Sequence, residues 1–292
     1  MSTTGGASPF LVPVLARLRS DSTMIADYHT HTYMCGHASG TLPAYIETAI
    51  ERGVDEIALT DHLFLYYEHP ADRDPSLAMR EEQYPAHYDA MKLTQCRYRE
   101  RINVRVSVEA DWVSGSEDRL REILSNYDFD FVLGGVHYVD GWLIDSAEDL
   151  HNYEQIPLEE IYRAYFRELR SAASSGLFDV LAHFDLPKKF GHKIPDSVKP
   201  FVLETLDCVK ESGCAIEVSS VGLRDPIREC YPGPWIIEEM RKREIPIVLS
   251  SDAHAPAEVA YDFDRLIPML LDSGYRSIVT FDQREPAVRP LA

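Results

Sequence analysis

Seven short runs of apolar and β-branched residues recur along the 292-residue chain, and stretches of helical length and amphipathic pattern separate them. The runs are Met24 to Tyr28, Glu56 to Thr60, Val104 to Glu109, Phe129 to Gly135, Phe178 to Ala182, Ala215 to Val218 and Pro246 to Ser250. Between them lie Leu42 to Arg52, Tyr84 to Arg101, Glu117 to Asn126, Leu158 to Ser174, Lys199 to Glu211 and Pro234 to Arg243. Strands that alternate with helices pair in parallel, because each helix returns the chain to the same end of the sheet. The spacing therefore predicts an α/β fold, a parallel sheet or barrel in a single domain. Ser277 to Phe281 is one more strand-like run, an edge or a closing element.

These runs end on a common chemistry. His29 and His31 follow the first, with His37 shortly after; His62 follows the second, Glu109 closes the third, His137 follows the fourth, His183 the fifth, and Asp252 with His254 the last. Residues two apart on an extended chain project to the same side, so His29 with His31 and Asp252 with His254 make two-pronged donors. A lone polar residue at a strand end is usually satisfied by loop backbone. Nine donors at one end, where βα barrels carry their chemistry, point instead to metal, and to more than one ion.

Charge and composition narrow the partners. A net charge of −19 with no lysine or arginine run opposes binding of a nucleic acid polymer. A small phosphorylated substrate remains compatible, because bound cations dominate the local field. The longest apolar stretches are too short to span a membrane, and the N-terminus lacks the basic-then-apolar pattern of an export signal. Cys35, Cys96, Cys208, Cys214 and Cys230 are odd in number and form no CxxC pair, which argues against a disulfide framework and for a cytoplasmic protein. Residues 1–23 read as an N-terminal extension, with Phe10 to Arg19 either a short helix on the barrel or part of an unstructured leader. Residues 24–292 read as the domain. Oligomeric state has no signal in the sequence.

Ordered along residues 24–285, several segments carry a family resemblance. Asp-Tyr-His-Thr-His-Thr from Asp27, Thr-Asp-His ending at His62, Glu109, Gly-Gly-Val-His ending at His137, Ala-His-Phe-Asp around His183 and Ser-Asp-Ala-His ending at His254 resemble the polymerase and histidinol phosphatase (PHP) superfamily. Within it, Cys-Gly-His-Ala-Ser-Gly from Cys35, Val-His-Tyr-Val-Asp-Gly-Trp from Val136, Ser-Gly-Leu-Phe-Asp-Val from Ser175, His-Phe-Asp-Leu-Pro-Lys-Lys-Phe from His183, Gly-Leu-Arg ending at Arg224 and Tyr-Pro-Gly-Pro from Tyr231 are most similar to the histidinol-phosphatases.

That resemblance implies a distorted (β/α)7 barrel of the PHP type, in one domain, with three divalent metal ions, zinc, iron or manganese. By position, His29, His31, Glu109 and Asp252 would hold the first ion. Glu109 would bridge to a second, held also by His137 and His183, and His37, His62 and His254 would hold the third. The implied activity is hydrolysis of the phosphomonoester L-histidinol phosphate by a metal-bridged hydroxide, in histidine biosynthesis. The alternative is a PHP-type phosphoesterase acting on a nucleotide, a cyclic phosphodiester or a sugar phosphate. A non-catalytic metal-stabilised module ranks last, since every donor position is filled.

Around the ligands, Asp61 and Asp185 are expected to orient imidazoles or to satisfy loop amides. The leaving alkoxide would be met by the third ion with its bound water or by a proton from the neighbourhood of Asp61 and His254. Arg224 is the candidate phosphate anchor, because a planar guanidinium binds two phosphate oxygens at once. Lys188 or Lys189 would add a second charge, unless their loop is simply solvated. The segment Leu63 to Tyr84, with Tyr66, Tyr67, Glu68 and His69, joins Asp111 and Trp112 as an aromatic and acidic rim that shapes substrate choice, although Trp112 suits a core position equally. Cys35, between His31 and His37, is expected to be chemically silent.

Overall fold

Backbone pairing arranges the predicted staves into two parallel sheets that meet along their edges. The computed structural model describes residues 23–291, so the Phe10 to Arg19 segment lies outside the described residues. Strands Ala26–Asp27 (β1), Glu56–Leu59 (β2) and Asn103–Val106 (β3) pair in parallel, with helices Leu42–Arg52 (α1) and Tyr84–Tyr98 (α2) between them. Next come strand Glu109–Asp111 (β4), helix Glu117–Leu124 (α3) and strand Leu133–Gly135 (β5). A small antiparallel hairpin, Tyr138–Val139 (β6) and Trp142–Leu143 (β7), then precedes helices His151–Gln155 (α4) and Leu158–Ser174 (α5). Strand Val180–Leu181 (β8), helix Lys199–Ser212 (α6), strand Ala215–Ser219 (β9), helix Pro234–Lys242 (α7) and strand Ile247–Ser250 (β10) continue the alternation. Strands β4, β5, β8, β9 and β10 form a second parallel sheet in that order.

Both seams between the sheets are bonded. On one side, the Tyr28 amide donates to the Leu249 carbonyl at 2.9 Å and the His31 amide to the Ala253 carbonyl at 2.8 Å. On the other, the chain itself passes from β3 to β4. Val104 to Glu109 is therefore not one strand as expected: it breaks at Ser107 and Val108, so that β3 pairs with β2 and β4 with β5. Ser107 makes the break by donating its amide to Leu59 and its hydroxyl to the Phe131 carbonyl, one neighbour on each side. The result is a distorted seven-stave barrel, with Glu109 at the break, where its side chain faces the ligands of both sheets.

The helices form for local reasons. Helix α5 buries Ile161, Tyr162, Tyr165, Phe166, Leu169, Ala172 and Ala173 on one face, and Glu159 and Glu160 in its first turn complement the helix dipole. Helix α1 has proline in its first turn and ends at Gly53, whose φ of 76° is the left-handed cap that glycine adopts freely. Helix Phe263–Asp272 (α8) went unpredicted because Pro268 sits inside it; burial of Phe263, Leu266, Ile267 and Leu270 carries it across the missing hydrogen bond.

Ser277 to Phe281 proves to be a closing element. It lies in strand Ser277–Asp282 (β11), which turns into Glu285–Pro290 (β12). The hairpin reaches the amino ends of β5 and β8: the Arg284 amide donates to the Asp130 carbonyl at 2.8 Å and its guanidinium to Asp179 at 2.8 Å. Inside, the rings of Tyr28, Phe131 and Phe281 pack together, with centroids 4.8 Å and 5.7 Å apart along the series. One end of the barrel is thus plugged by aromatic side chains, which leaves the other for chemistry.

Candidate metal centre

At the carboxyl end of the barrel a cavity of about 560 Å³ is lined by His31, His37, His62, Glu109, His137, His183, Asp252 and His254 together with Arg224 and Lys189. Glu109 divides its interior. One carboxylate oxygen lies 3.0 Å from His29 Nε2, 3.3 Å from His31 Nε2 and 3.2 Å from His62 Nδ1. The other lies 3.0 Å from His183 Nε2 and 3.6 Å from His137 Nε2. A side chain with one oxygen in each half is the arrangement that a carboxylate bridging two cations requires. Gly135 makes room for it, since a Cβ there would lie 2.7 Å from the Glu109 oxygen and 2.7 Å from the His137 ring.

Potential ligand atoms fall into tight sets: His29, His31 and Asp252; Glu109, His137 and His183; and His31, His62 and His254. His37 stands at the edge of the last, its ring centroid 5.0 Å from that of His254 and 5.4 Å from that of His62. Its Nδ1–H donates to the Ser76 carbonyl at 3.0 Å, which leaves Nε2 free to act as a donor atom. Two turns near the sets hold non-glycine residues in the left-handed region, His183 at φ 25° and Asp252 at φ 47°. Such strain persists where surrounding contacts fix it, and it aims both side chains inward.

The donor set fits divalent cations. His29 Nε2 and His31 Nε2 face each other at 2.8 Å, a separation that either a shared proton or a cation between the two nitrogens accounts for. One Asp252 oxygen and His183 Nδ1 are buried without a hydrogen-bond partner. Burial opposes charge on Glu109, yet His29 and His62 hold its carboxyl well below the usual range. Burial likewise opposes a proton on His137, but Asp111 and Glu109 pull its pKa up to about 10. His254, by contrast, is held down to about 4 by burial and by the neighbouring His31. The carboxylates demand compensating positive charge, and divalent ions among neutral imidazoles meet that demand.

Carboxylates outside the ligand set orient the imidazoles. His137 Nδ1–H donates to Asp111 at 2.5 Å, and Tyr67 donates its hydroxyl to the other Asp111 oxygen at 2.8 Å. Glu217, which the sequence reading passed over, accepts His29 Nδ1–H at 2.7 Å and the His183 amide at 2.6 Å. Its signal was available: an acid in the middle of a fully buried strand needs a partner to stay. Trp112 is a core residue, buried, with its indole N–H donating to Glu168 at 3.2 Å.

The remaining expected residues divide between the cavity lining and the protein interior. Arg224 lines the cavity. Its Nη2 donates to the carbonyls of Ser251 and Asp252 at 3.0 and 3.3 Å, while Nη1 is buried with no partner. Lys189 also lines the cavity, 3.1 Å from Asp145. Lys188 is absent from that lining, contrary to its expected part in phosphate binding; its ammonium is buried against Asp185 at 2.9 Å and the Cys230 carbonyl at 2.7 Å. Asp185 belongs to that buried pair and, by the second of its two expected roles, accepts a loop amide, that of Gly233, at 2.9 Å. Asp61, expected near the leaving group, is buried behind the cavity wall, where it accepts from Thr32, Cys35 and His87.

The PHP domain model matches residues 27–221 of this chain. The chain belongs to the PHP family. A probable histidinol-phosphatase of Deinococcus radiodurans is 38% identical to this PHP protein over 263 residues, which cover 90% of this chain and 98% of the relative. The histidinol-phosphatase of Bacillus subtilis is 26% identical over 264 residues, 82% of this chain and 97% of that one. In fold, this PHP protein is similar to the histidinol phosphate phosphatase of Lactococcus lactis, solved with zinc, L-histidinol and phosphate. The TM-score is 0.78 at 18% identity, over 91% of this chain and 100% of the other.

Proposed function

We propose that this PHP protein is a metal-dependent phosphomonoesterase that hydrolyses L-histidinol phosphate to L-histidinol and phosphate, and that it serves histidine biosynthesis. One observation carries the reading: the unpartnered Nη1 of Arg224 is buried at a cavity wall shared with the Glu109-centred donor sets. A buried guanidinium nitrogen without an acceptor is a costly arrangement unless an anion completes it. Relatives named histidinol-phosphatases over nearly their whole length support the same substrate.

His29, His31, Glu109 and Asp252 would hold one ion, Glu109 with His137 and His183 a second, and His37, His62 and His254 a third. Zinc is the ion in the Lactococcus lactis structure, and the imidazole-rich donor set suits it. When bound, such ions lower the pKa of water to near neutrality and neutralise phosphoryl oxygens. The chain's own residues do the rest. Arg224 holds the phosphate from the side of Asp252, and Lys189 adds positive charge while Asp145 fixes its ammonium. Glu217 and Asp111 keep the ring nitrogens of His29 and His137 turned toward the centre. His254, its Nδ1 facing the Asp252 carbonyl at 3.1 Å, keeps Nε2 for the third ion at the cavity mouth.

Leu65, Tyr67, Tyr138, Asp145 and Asp225 line the remaining wall. Apolar and aromatic surfaces beside carboxylates suit a leaving group that bears an imidazole and an ammonium. The test is phosphate release from L-histidinol phosphate against a panel of nucleotides, sugar phosphates and phosphodiesters, with metal content measured on the same samples. Strong preference for L-histidinol phosphate is expected. Equal or better turnover of another panel member replaces the substrate, and protein that binds no transition metal overturns the site.

A further inference from the structure

Among the ligand imidazoles, His31 has an unusual partner on its outward nitrogen. His29 and His137 turn Nδ1 to carboxylates, as ligand histidines commonly do, whereas His31 turns Nδ1 to a sulfur, Cys35 Sγ, at 3.4 Å. That sulfur also accepts the backbone N–H of His62 at 3.3 Å and donates its own proton to Asp61 at 2.9 Å. Asp61 accepts three further hydrogen bonds, from the Thr32 amide at 2.5 Å, the Thr32 hydroxyl at 2.8 Å and His87 Nε2–H at 2.7 Å. All these side chains are buried, and His87 belongs to helix α2.

His31, Cys35 and Asp61 also stand close enough to hold an ion, but their hydrogen bonds are already committed. Both Asp61 oxygens already accept hydrogen bonds from protein donors, two from Thr32, one from Cys35 and one from His87, which leaves neither free for an ion. Nor is the sulfur placed for attack: Cys35 is buried, and its contacts with His31, His62 and Asp61 occupy it away from the cavity. What remains is a chain of hydrogen bonds from α2 to a ligand.

We propose that Cys35, Asp61 and His87 are positioning residues for metal binding, in which the Cys35 thiol fixes the tautomer and ring angle of His31 and the His87–Asp61 pair fixes the thiol. His31 belongs both to the set with His29 and Asp252 and to the set with His62 and His254, and Cys35 also holds the backbone of His62, so the sulfur sets the spacing of ligands around both positions. This inference rests on the reading of the site as a metal centre.

The experiment compares the parent with Cys35→Ala, Cys35→Ser, His87→Leu and His87→Gln, each stripped of metal and equilibrated with buffered free zinc. Bound zinc and the unfolding midpoint of the metal-free protein are both recorded. In Cys35→Ala the free zinc needed for half-filling of the weakest site rises about 10- to 100-fold. Cys35→Ser, which keeps a donor and acceptor at that position, recovers most of the affinity. His87→Leu weakens zinc binding in the same direction and His87→Gln, which keeps an N–H, restores it; this pair reads the chain from its far end should Cys35→Ala fail to fold. A lower metal-free midpoint with unchanged zinc binding in Cys35→Ala and His87→Leu overturns the proposal and makes both residues merely structural. Zinc binding by the parent with variants that match it sinks only this inference, whereas a parent that binds no zinc sinks the metal centre itself.

Discussion

Glu217 and His29 share a buried hydrogen bond of 2.7 Å that ties the middle of β9 to the residue following β1. One Glu217 oxygen takes the His29 Nδ1–H and the Ser250 hydroxyl, and the other takes the His183 amide, so every lone pair in use faces a donor. The carboxylate thereby orients a ligand in each half of the site. Glu217→Gln keeps the size but turns an NH2 toward one of those donors. The expected outcome is a loss of about 1–3 kcal/mol in stability, from a buried group left unpaired, and a fall of about 10- to 100-fold in metal affinity. Chemical denaturation and metal titration measure the two effects separately. Unchanged metal affinity would remove Glu217 from the orienting set.

Arg224 leads to a different signature, because its contacts near Asp252 are with backbone carbonyls and the ligand carboxylate is left to the cations. Arg224→Ala should retain the parent's metal content and lose about 2–4 kcal/mol of transition-state stabilisation, as expected for a charge-assisted contact to a phosphoryl oxygen. Arg224→Lys should recover only part, since an ammonium lacks the fork that binds two oxygens. Steady-state kcat/KM beside metal analysis decides it, and parent-like kinetics would withdraw Arg224 from phosphate binding.

The contrast between these two residues shows what was legible beforehand. The metal donors announce themselves because each ends or follows an apolar run, and strand ends are where a barrel leaves side chains free for chemistry. Glu217 lies inside a strand, so end-of-run reasoning passes over it although its charge conflicts with its burial. His87 is harder still: it sits within α2, away from any strand end, and only the fold brings it to Asp61. The break at Ser107 is invisible for the same reason, since a change of pairing partner leaves the hydrophobic pattern intact. Strands β6, β7 and β12 are short or polar, and Pro268 disguises α8.

Lys188 and Lys189 are adjacent and identical in type, yet the turn that carries them sends one inward and one to the cavity. Lys188→Met leaves Asp185 buried without its cation, which costs about 3–5 kcal/mol of stability. Turnover per folded, metal-loaded molecule should change little. Lys189→Met should do the reverse, with little effect on denaturation and a loss in kcat/KM that grows with the charge of the phosphoester. Thermal or denaturant unfolding of both variants, alongside kinetics at matched folded concentration, gives the comparison. Lys188→Met with parent-like stability would contradict the buried pair.

Gly135 and Gly115 separate the need for space from the need for backbone freedom. A Cβ at Gly135 would fall 2.7 Å from both the Glu109 oxygen and the His137 ring, whereas at Gly115 it would meet nothing within 4 Å but would sit on a backbone of φ +91°. Gly135→Ala must therefore displace the carboxylate that spans the two halves, or the imidazole beside it. Overpacking of this kind costs about 1–3 kcal/mol, and the displaced ligand should lower metal affinity by about tenfold or more. Gly115→Ala pays in conformation, about 1 kcal/mol for an unfavourable φ, and should leave metal content and turnover at the parent's level. Metal titration of both variants next to their unfolding midpoints tests the pair: equal metal affinity in the two would mean that the room left by Gly135 is not what seats Glu109.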